Sequence, residues 1–382
     1  MPAEDPRRAL HAAAPAVAPQ WRPPRPRRAG TAVLEVLAVA VGMVGVVWAL
    51  SLAMRLGGAA STAVAGALAF VPLVGVLATV AWVDRWEPEP RPVLAAALAW
   101  GAGVSTAVSL VLNDLIAVSV LTATGSATAA EVVGTVLGAP VVEELAKGAG
   151  VLLIFLARRR YFDGPVDGIV YAAVVAAGFA FTENVFYFVQ YDEALSQVFF
   201  ARAVQGPFAH VTFTACTGIA LGLSSRSRGR GAWLALFPLG LAAAMGLHAL
   251  WNGSAVLGVH GVVYWVVQVP LFVALVGLVV WLRADEKAVI AARLGEYARA
   301  GWFPAEEVAM LTSLRGRQRA RSWAARAGRE RAMRDFQAAA TSLAFARQRA
   351  ATGRRDLRAS RDERELLDAV AHARGRLAAP PR

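Results

Sequence analysis

The chain has a single cysteine in 382 residues, Cys216, and it lies inside an apolar run. An intramolecular disulfide and any zinc cluster built on cysteine thiolates are therefore excluded. Charge is scarce as well: Asp, Glu, Lys and Arg make up 17% of the chain, against about 25% in an ordinary soluble domain. The zinc-protease pattern HExxH is missing, and no internal repeat relates the two halves. The start does not read as a cleavable signal peptide, because thirty Pro/Arg-rich residues precede the first apolar run and that run is long enough to span.

What is present is apolar. Hydrophobic residues make up 57% of the chain and the mean hydropathy is +0.48. The excess sits in long runs between residues 31 and 282, the signature of a membrane domain. The formal charge of +12 is carried mainly by the two ends. Residues 1–30 hold Arg7, Arg8, Arg22, Arg25, Arg27 and Arg28, and residues 284–382 hold 21 Lys and Arg against 12 Asp and Glu. Beside a membrane domain such basic segments read as cytoplasmic stretches near anionic lipid rather than as a nucleic-acid surface.

A helix needs about 20 apolar residues to cross the hydrocarbon core. Eight segments qualify: 32–54, 61–83, 92–118, 130–157, 165–190, 197–222, 232–256 and 259–282. With the Arg-rich start inside, the even-numbered connections carry Asp84-Arg85-Trp86-Glu87, Arg158-Arg159-Arg160, and Arg226 with Arg228 and Arg230. The odd-numbered ones carry Arg55, Asp192-Glu193, and no charge at 257–259. Every basic cluster then falls on one face, as the positive-inside rule requires. The expected class is all-α: a polytopic membrane helix bundle of eight spans over 31–282. A disordered basic cytoplasmic N-terminus (1–30) precedes it and a soluble, basic helical cytoplasmic tail (283–382) follows. In the tail, Pro304-Ala305-Glu306-Glu307 resembles a helix start, and Phe336, Leu343 and Phe345 form a sparse apolar stripe. The plain reading is a solvated helical appendage, the functional one a partner-binding or lipid-surface helix.

An ionisable group at mid-membrane costs about 2.5–3.5 kcal/mol on insertion scales, so a cluster needs a reason. The fourth span holds Glu143, Glu144 and Lys147, the fifth Glu183 and Asn184, the sixth His210, and the seventh His248 and Asn252. Lys147 follows Glu143 by four residues and Glu144 by three, so it can reach either carboxylate. His248 and Asn252 share a face, as do Phe179, Glu183 and Tyr187, and His210 and Thr214. Four consecutive spans thus carry polar faces that can meet in one water-accessible cavity. Asp114 and Arg202 lie nearer the outer ends and read as interfacial or snorkelling groups.

These residues resemble a known set. Val-Val-Glu143-Glu144-Leu-Ala-Lys147 is similar to the EExxK motif of the PrsW family of intramembrane proteases. Phe179-Ala-Phe-Thr-Glu183-Asn184 resembles its second motif, His210 stands at its lone histidine, and His248-Ala-Leu-Trp-Asn252 resembles its fourth. Asp84-Arg-Trp-Glu-Pro-Glu-Pro90 is similar to the acidic, Pro-containing segment before the family's core. In the wider superfamily of CAAX-prenyl and bacteriocin-processing proteases the second motif has His where this chain has Glu183. The resemblance covers roughly 61–282 and implies an endopeptidase that cuts a membrane-anchored, single-span protein, the best-known case being an anti-sigma factor. The Ala/Arg-rich composition suits a bacterial chain, expected in the cell membrane with both termini cytoplasmic.

Two catalytic arrangements follow. In one, His210, His248 and a carboxylate, Glu144 or Glu183, hold a Zn2+-like ion while Glu143 is the general base. In the other no metal is used: Glu143 with Glu183 or His210 activates water, and His248 and Asn252 donate to the oxyanion. Lys147 and Asn184 support either one. Outside the protease class, the acids and histidines could form the proton relay of a secondary transporter, or the chain could be a non-catalytic membrane scaffold.

Overall fold

The computed structural model describes residues 29–159, 162–227, 229, 231–351 and 357–379, and these are helical, without strands. The Arg-rich segment 1–28 and Arg160, Arg228 and Arg230, used above for orientation, lie outside the described residues. Six helical stretches are long and apolar enough to cross a membrane: Val33–Val83, Arg91–Thr124, Pro165–Gln190, Asp192–Arg226, Trp233–Val256 and His260–Arg299.

Two features separate this from the eight expected spans. The first two expected spans form one element, α1 (Ala29–Val83), in which the backbone leaves helical dihedrals at Gly58 (φ 79°, ψ 169°). A straight helix of that length would run to roughly 80 Å, far beyond a hydrocarbon core of about 30 Å. The packing shows that α1 turns back instead. Ala53, Ala65 and Ala69, on both sides of Gly58, gather on Val185, Phe188 and Val189. Gly42 lies against Ala99, while Leu73, Val76 and Val80 join a cluster with Val93 and Ala97. The positive φ at Gly58 is the conformation a residue without Cβ adopts at little cost. The second feature is the stretch 127–158, which is helical over a similar length but carries Glu143, Glu144 and Lys147 within two turns.

The remaining membrane elements are α2 (Arg91–Thr124), α3 (Ala139–Arg158), α4 (Pro165–Gln190), α5 (Ala209–Arg226), α6 (Trp233–Val256) and α7 (His260–Arg299). Helix α4 is the centre of the bundle. Ala172, Val175 and Ala176 are fully enclosed, as expected of a helix that is apolar on every side. Its neighbours come close through small residues: a Cβ added to Gly168 would lie 2.0 Å from the Gly218 carbonyl oxygen of α5. In lipid, where no apolar gradient drives helices together, such backbone approach supplies the contact energy. By contrast, Val36, Val44, Leu56, Trp265, Val273 and Trp281 on α1 and α7 are more than half exposed. An apolar surface of that extent is at home against acyl chains.

Among the described residues four π-helical turns interrupt the bundle: Trp100–Ser105, Gly134–Gly138, Phe200–Gln205 and Tyr264–Gln268. Each leaves backbone carbonyls out of the regular ladder, and two of them meet site helices. Thr182 donates to the Ala102 carbonyl at 2.8 Å, and Asn252 to that of Thr135 at 2.9 Å.

Helix α7 continues beyond its apolar part into the C-terminal region, which also holds α8 (Ala305–Leu311), α9 (Leu314–Arg326), α10 (Glu330–Ala351) and α11 (Leu357–Ala378). This region is not the solvated appendage that its composition suggests. Phe336, Leu343 and Phe345 are buried, in a core shared with Ile290, Leu294, Leu311 and Val370. Many of the contacts are alanines, Ala324, Ala340 and Ala344 among them. The core also encloses Trp86 from the α1–α2 connection. Arg317, itself buried, donates to the carbonyls of Trp86 (2.9 Å) and Leu311 (2.7 Å) and to Thr341 (2.8 Å). Ser342 donates to Glu87 at 3.0 Å, and Arg349 pairs with Asp163.

Candidate active site

Helix α3 brings three ionisable side chains inward. Its register is fixed from α2: Trp100 Nε1 donates to the Ala146 carbonyl at 2.9 Å, and the indole lies where a Cβ on Gly150 would stand. Glu144 and Lys147 are fully buried and Glu143 nearly so. Lys147 Nζ lies 2.6 Å from Glu144 Oε1 and 3.7 Å from Glu143 Oε2. It also lies 3.2 Å from His210 Nδ1 and 4.2 Å from the Phe179 ring centroid. One ammonium thus ties together two carboxylates, a histidine and an aromatic face, the pairing a buried charge requires.

Each histidine has a carboxylate behind it. His248 Nδ1 is 3.1 Å from Glu144 Oε1, and Glu144 Oε2 accepts from Thr214 at 2.9 Å. An ionised carboxylate only accepts, so Nδ1 carries the proton and Nε2 keeps its lone pair, 3.9 Å from Glu143 Oε2. His210 Nε2 is 2.8 Å from Glu183 Oε2. Because an ammonium only donates, His210 Nδ1 is the acceptor from Lys147 and Nε2 holds the proton toward Glu183. The two rings cross at 85° with centroids 5.2 Å apart, and Phe213 stacks on His248 at 5.1 Å.

Glu143 differs from its neighbour. Its Oε2 is buried and has no hydrogen-bond partner, although Lys147 and His248 lie within Coulombic reach. One donor atom each of Glu143, His210 and His248 can be chosen so that all three lie within 4.8 Å of one another. The lone pair of His248 Nε2, a Glu143 carboxylate oxygen and, once Lys147 gives up its hydrogen bond to it, that of His210 Nδ1 would make a donor set of the kind that suits a divalent ion of the zinc type. The carboxylate that groups with the two histidines is Glu143, while Glu144 and Glu183, the acids expected as ligands, stand behind the rings.

Two residues meet partners that the sequence does not show. Asn252 shares the His248 face as predicted, but its amide is engaged by the Thr135 carbonyl exposed at the π turn Gly134–Gly138. Arg202 is not a snorkelling group. It pairs with Glu183, its Nε donates to Asn184 Oδ1 at 2.5 Å, and its guanidinium lies 3.9 Å over the Tyr187 ring. A charge count signals it: Glu143, Glu144 and Glu183 outnumber Lys147, so a second cation is needed, and Arg202 is the nearest arginine in sequence to Glu183.

The fold and the site together define a helical membrane protein with a glutamate–histidine centre enclosed between four of its helices. Residues 89–275, which carry every residue of the centre, match the PrsW-protease family model, described as PrsW family intramembrane metalloprotease. Comparisons with curated proteins and with solved structures gave no match.

Proposed function

We propose that the chain is an intramembrane endopeptidase that hydrolyses a peptide bond in a membrane-anchored, single-span protein, an anti-sigma factor being one such substrate. The observation that carries this reading is Glu143 Oε2, buried without a hydrogen bond and grouped with two histidines that each have a carboxylate behind them. Amide hydrolysis needs a proton acceptor for water, a stabiliser for the developing oxyanion and a proton for the leaving amine. Glu143 Oε2, the carboxylate oxygen not already committed, takes the proton from water and returns it to the amine nitrogen. Lys147 and the histidine N–H network keep the rest of the centre charge-balanced while that proton moves. A divalent ion held by His210, His248 and Glu143 would supply a Lewis acid that acidifies water and polarises a carbonyl, with Glu143 then a ligand rather than the proton acceptor. Glu144 and Glu183 then serve by orienting the two rings.

Side-chain exposure grades across the site, from 0% at Glu144 and Lys147 through 11% at His210 to 17% at Glu183 and 20% at Arg202. On this reading the substrate reaches the centre from the Arg202 side. Counting α1 as two legs and 127–158 as a crossing in spite of its charges gives eight crossings, with both termini cytoplasmic in a bacterial cell membrane. The C-terminal region then lies on the cytoplasmic face, near anionic headgroups.

The test is to incubate the purified full-length protein in detergent with a panel of tagged single-span substrates in H218O. A cut within or beside the span, with one 18O in the new carboxyl terminus, is the expected result. A panel left intact, with the protein shown to be folded, contradicts the reading.

A further inference from the structure

Glu183 and His210 are more exposed than Glu143, Glu144, Lys147 and His248, and the aromatic rings of Phe179 and Phe213 on their own helices pack on His210 without hydrogen-bonding the carboxylate. The lock comes from Arg202, which stands on the π turn Phe200–Gln205 between α4 and α5. A π turn inserts an extra residue and re-aims the side chains that follow it. Here it turns a guanidinium onto one face of α4, where three residues hold it. Asn184 accepts from Nε, Glu183 Oε2 pairs with Nη2, and the Tyr187 ring lies beneath the plane. The same oxygen, Glu183 Oε2, also receives His210 Nε2. Arg202, Glu183 and His210 therefore form a continuous chain of contacts that ends at His210 Nδ1, the atom facing Lys147 and the centre.

We propose that Arg202 is a positioning residue: acting through Glu183, it holds the His210 ring with Nε2–H outward and the Nδ1 lone pair inward. The proposal rests on reading this cluster as the reaction centre, but the geometry it concerns exists without substrate. A fork that grips Glu183 and Asn184 at once fixes the carboxylate in direction as well as in charge, which a lysine ammonium cannot do. Without it, Glu183 is free to rotate away from His210, and the ring is left with the Lys147 contact at Nδ1 alone to hold its direction.

The experiment uses the full-length protein in detergent, labelled with 15N-histidine. The chain has five histidines, so the His210 signals are assigned by their loss in His210→Gln. In the wild type His210 shows one protonated nitrogen, Nε2, and one unprotonated, Nδ1. In Arg202→Met the protonated Nε2 loses its fixed carboxylate partner, so its 15N signal shifts and broadens while Nδ1 stays the acceptor from Lys147, and Arg202→Lys gives an intermediate spectrum. His210 signals in Arg202→Met identical to those of the wild type overturn the proposal. If the methionine variant does not fold, Arg202→Lys decides by the same criterion, an unchanged spectrum overturning the proposal. Where cleavage is measurable, kcat falls about 10–100-fold in Arg202→Met while KM changes little, and Arg202→Lys restores part of it. A wild type that cleaves nothing counts against the peptidase reading alone, because the His210 spectra decide the role of Arg202 independently.

Discussion

Replacing Lys147 by methionine tests whether the centre is held by charge pairing. The side chain is fully buried, and its nearest partner is Glu144 Oε1 at 2.6 Å. Methionine has nearly the same length and shape, so the cavity cost is small and the measured loss reports the charge. Breaking one side of a buried pair typically costs about 3–5 kcal/mol, because the other charge is left uncompensated. Glu144 would keep two hydrogen bonds, from Thr214 and His248, which places the expected loss near the lower end, about 3 kcal/mol. Removing both charges in Lys147→Met/Glu144→Gln leaves no uncompensated ion between them. The double variant should therefore be more stable than Lys147→Met alone, with a coupling of roughly 2 kcal/mol in the range measured for contacting residues. The assay is reversible unfolding in mixed micelles followed by circular dichroism, for the wild type, both single variants and the double. A single variant within about 0.5 kcal/mol of the wild type, the range of an ordinary surface change, refutes the reasoning. So does a double variant whose loss equals the sum of the two.

Three further outcomes follow from the packing. Gly168→Ala forces a methyl to within 2.0 Å of the Gly218 carbonyl, so α4 and α5 must separate, at a cost of about 1–3 kcal/mol or more; wild-type stability in the same unfolding assay would contradict the close approach. Trp86→Ala removes a ring enclosed by the C-terminal helices, a loss of about 3–5 kcal/mol, and limited proteolysis should then release the 284–382 region while leaving the membrane core intact. The same seam should be sensitive to pH. Burial pushes the Asp84 carboxyl up to about 7, against a backbone hydrogen bond from Glu89. It also pushes Glu89 up to about 7, against the hydrogen bond that Glu89 accepts from Tyr171. A carboxyl whose folded pKa is raised favours the folded form fully below its ordinary value near 4, and that contribution is lost as pH rises through 7. Resistance of the C-terminal region to proteolysis should therefore decrease between about pH 5 and pH 8, and a rise over that window would contradict the assignment.

How much of this was legible in the sequence depended on whether a feature is local. The site helices announced themselves, because Glu143, Glu144, Lys147, Glu183, His210 and His248 are costly in an apolar run and recur at spacings that set partners on one face. The phase between Glu143 and Glu144 was not legible. Adjacent residues point about 100° apart, and only the neighbours, Thr214 and His248 on other helices, show which carboxylate is committed and which is free. Arg202 was misjudged because its reach depends on a π turn, which leaves no periodic signal. Asn252 meets a carbonyl that another π turn exposes, a contact that likewise leaves no periodic signal. In the C-terminal region, the Ala/Arg-rich composition hid a core in which alanines pack beside larger apolar residues, and whose largest ring, Trp86, comes from more than 200 residues earlier in the chain.

The central claim is that the free carboxylate of Glu143 makes this centre a peptidase. It is tested most directly by comparing wild type and Glu143→Gln, both purified in detergent and shown to be folded, on the same single-span substrates. Metal content is measured and a chelator arm is run beside each. The account predicts cleavage by the wild type and none by the variant, with lost metal marking Glu143 as a ligand and retained metal marking it as the proton acceptor alone. Equal cleavage by the two proteins would contradict it.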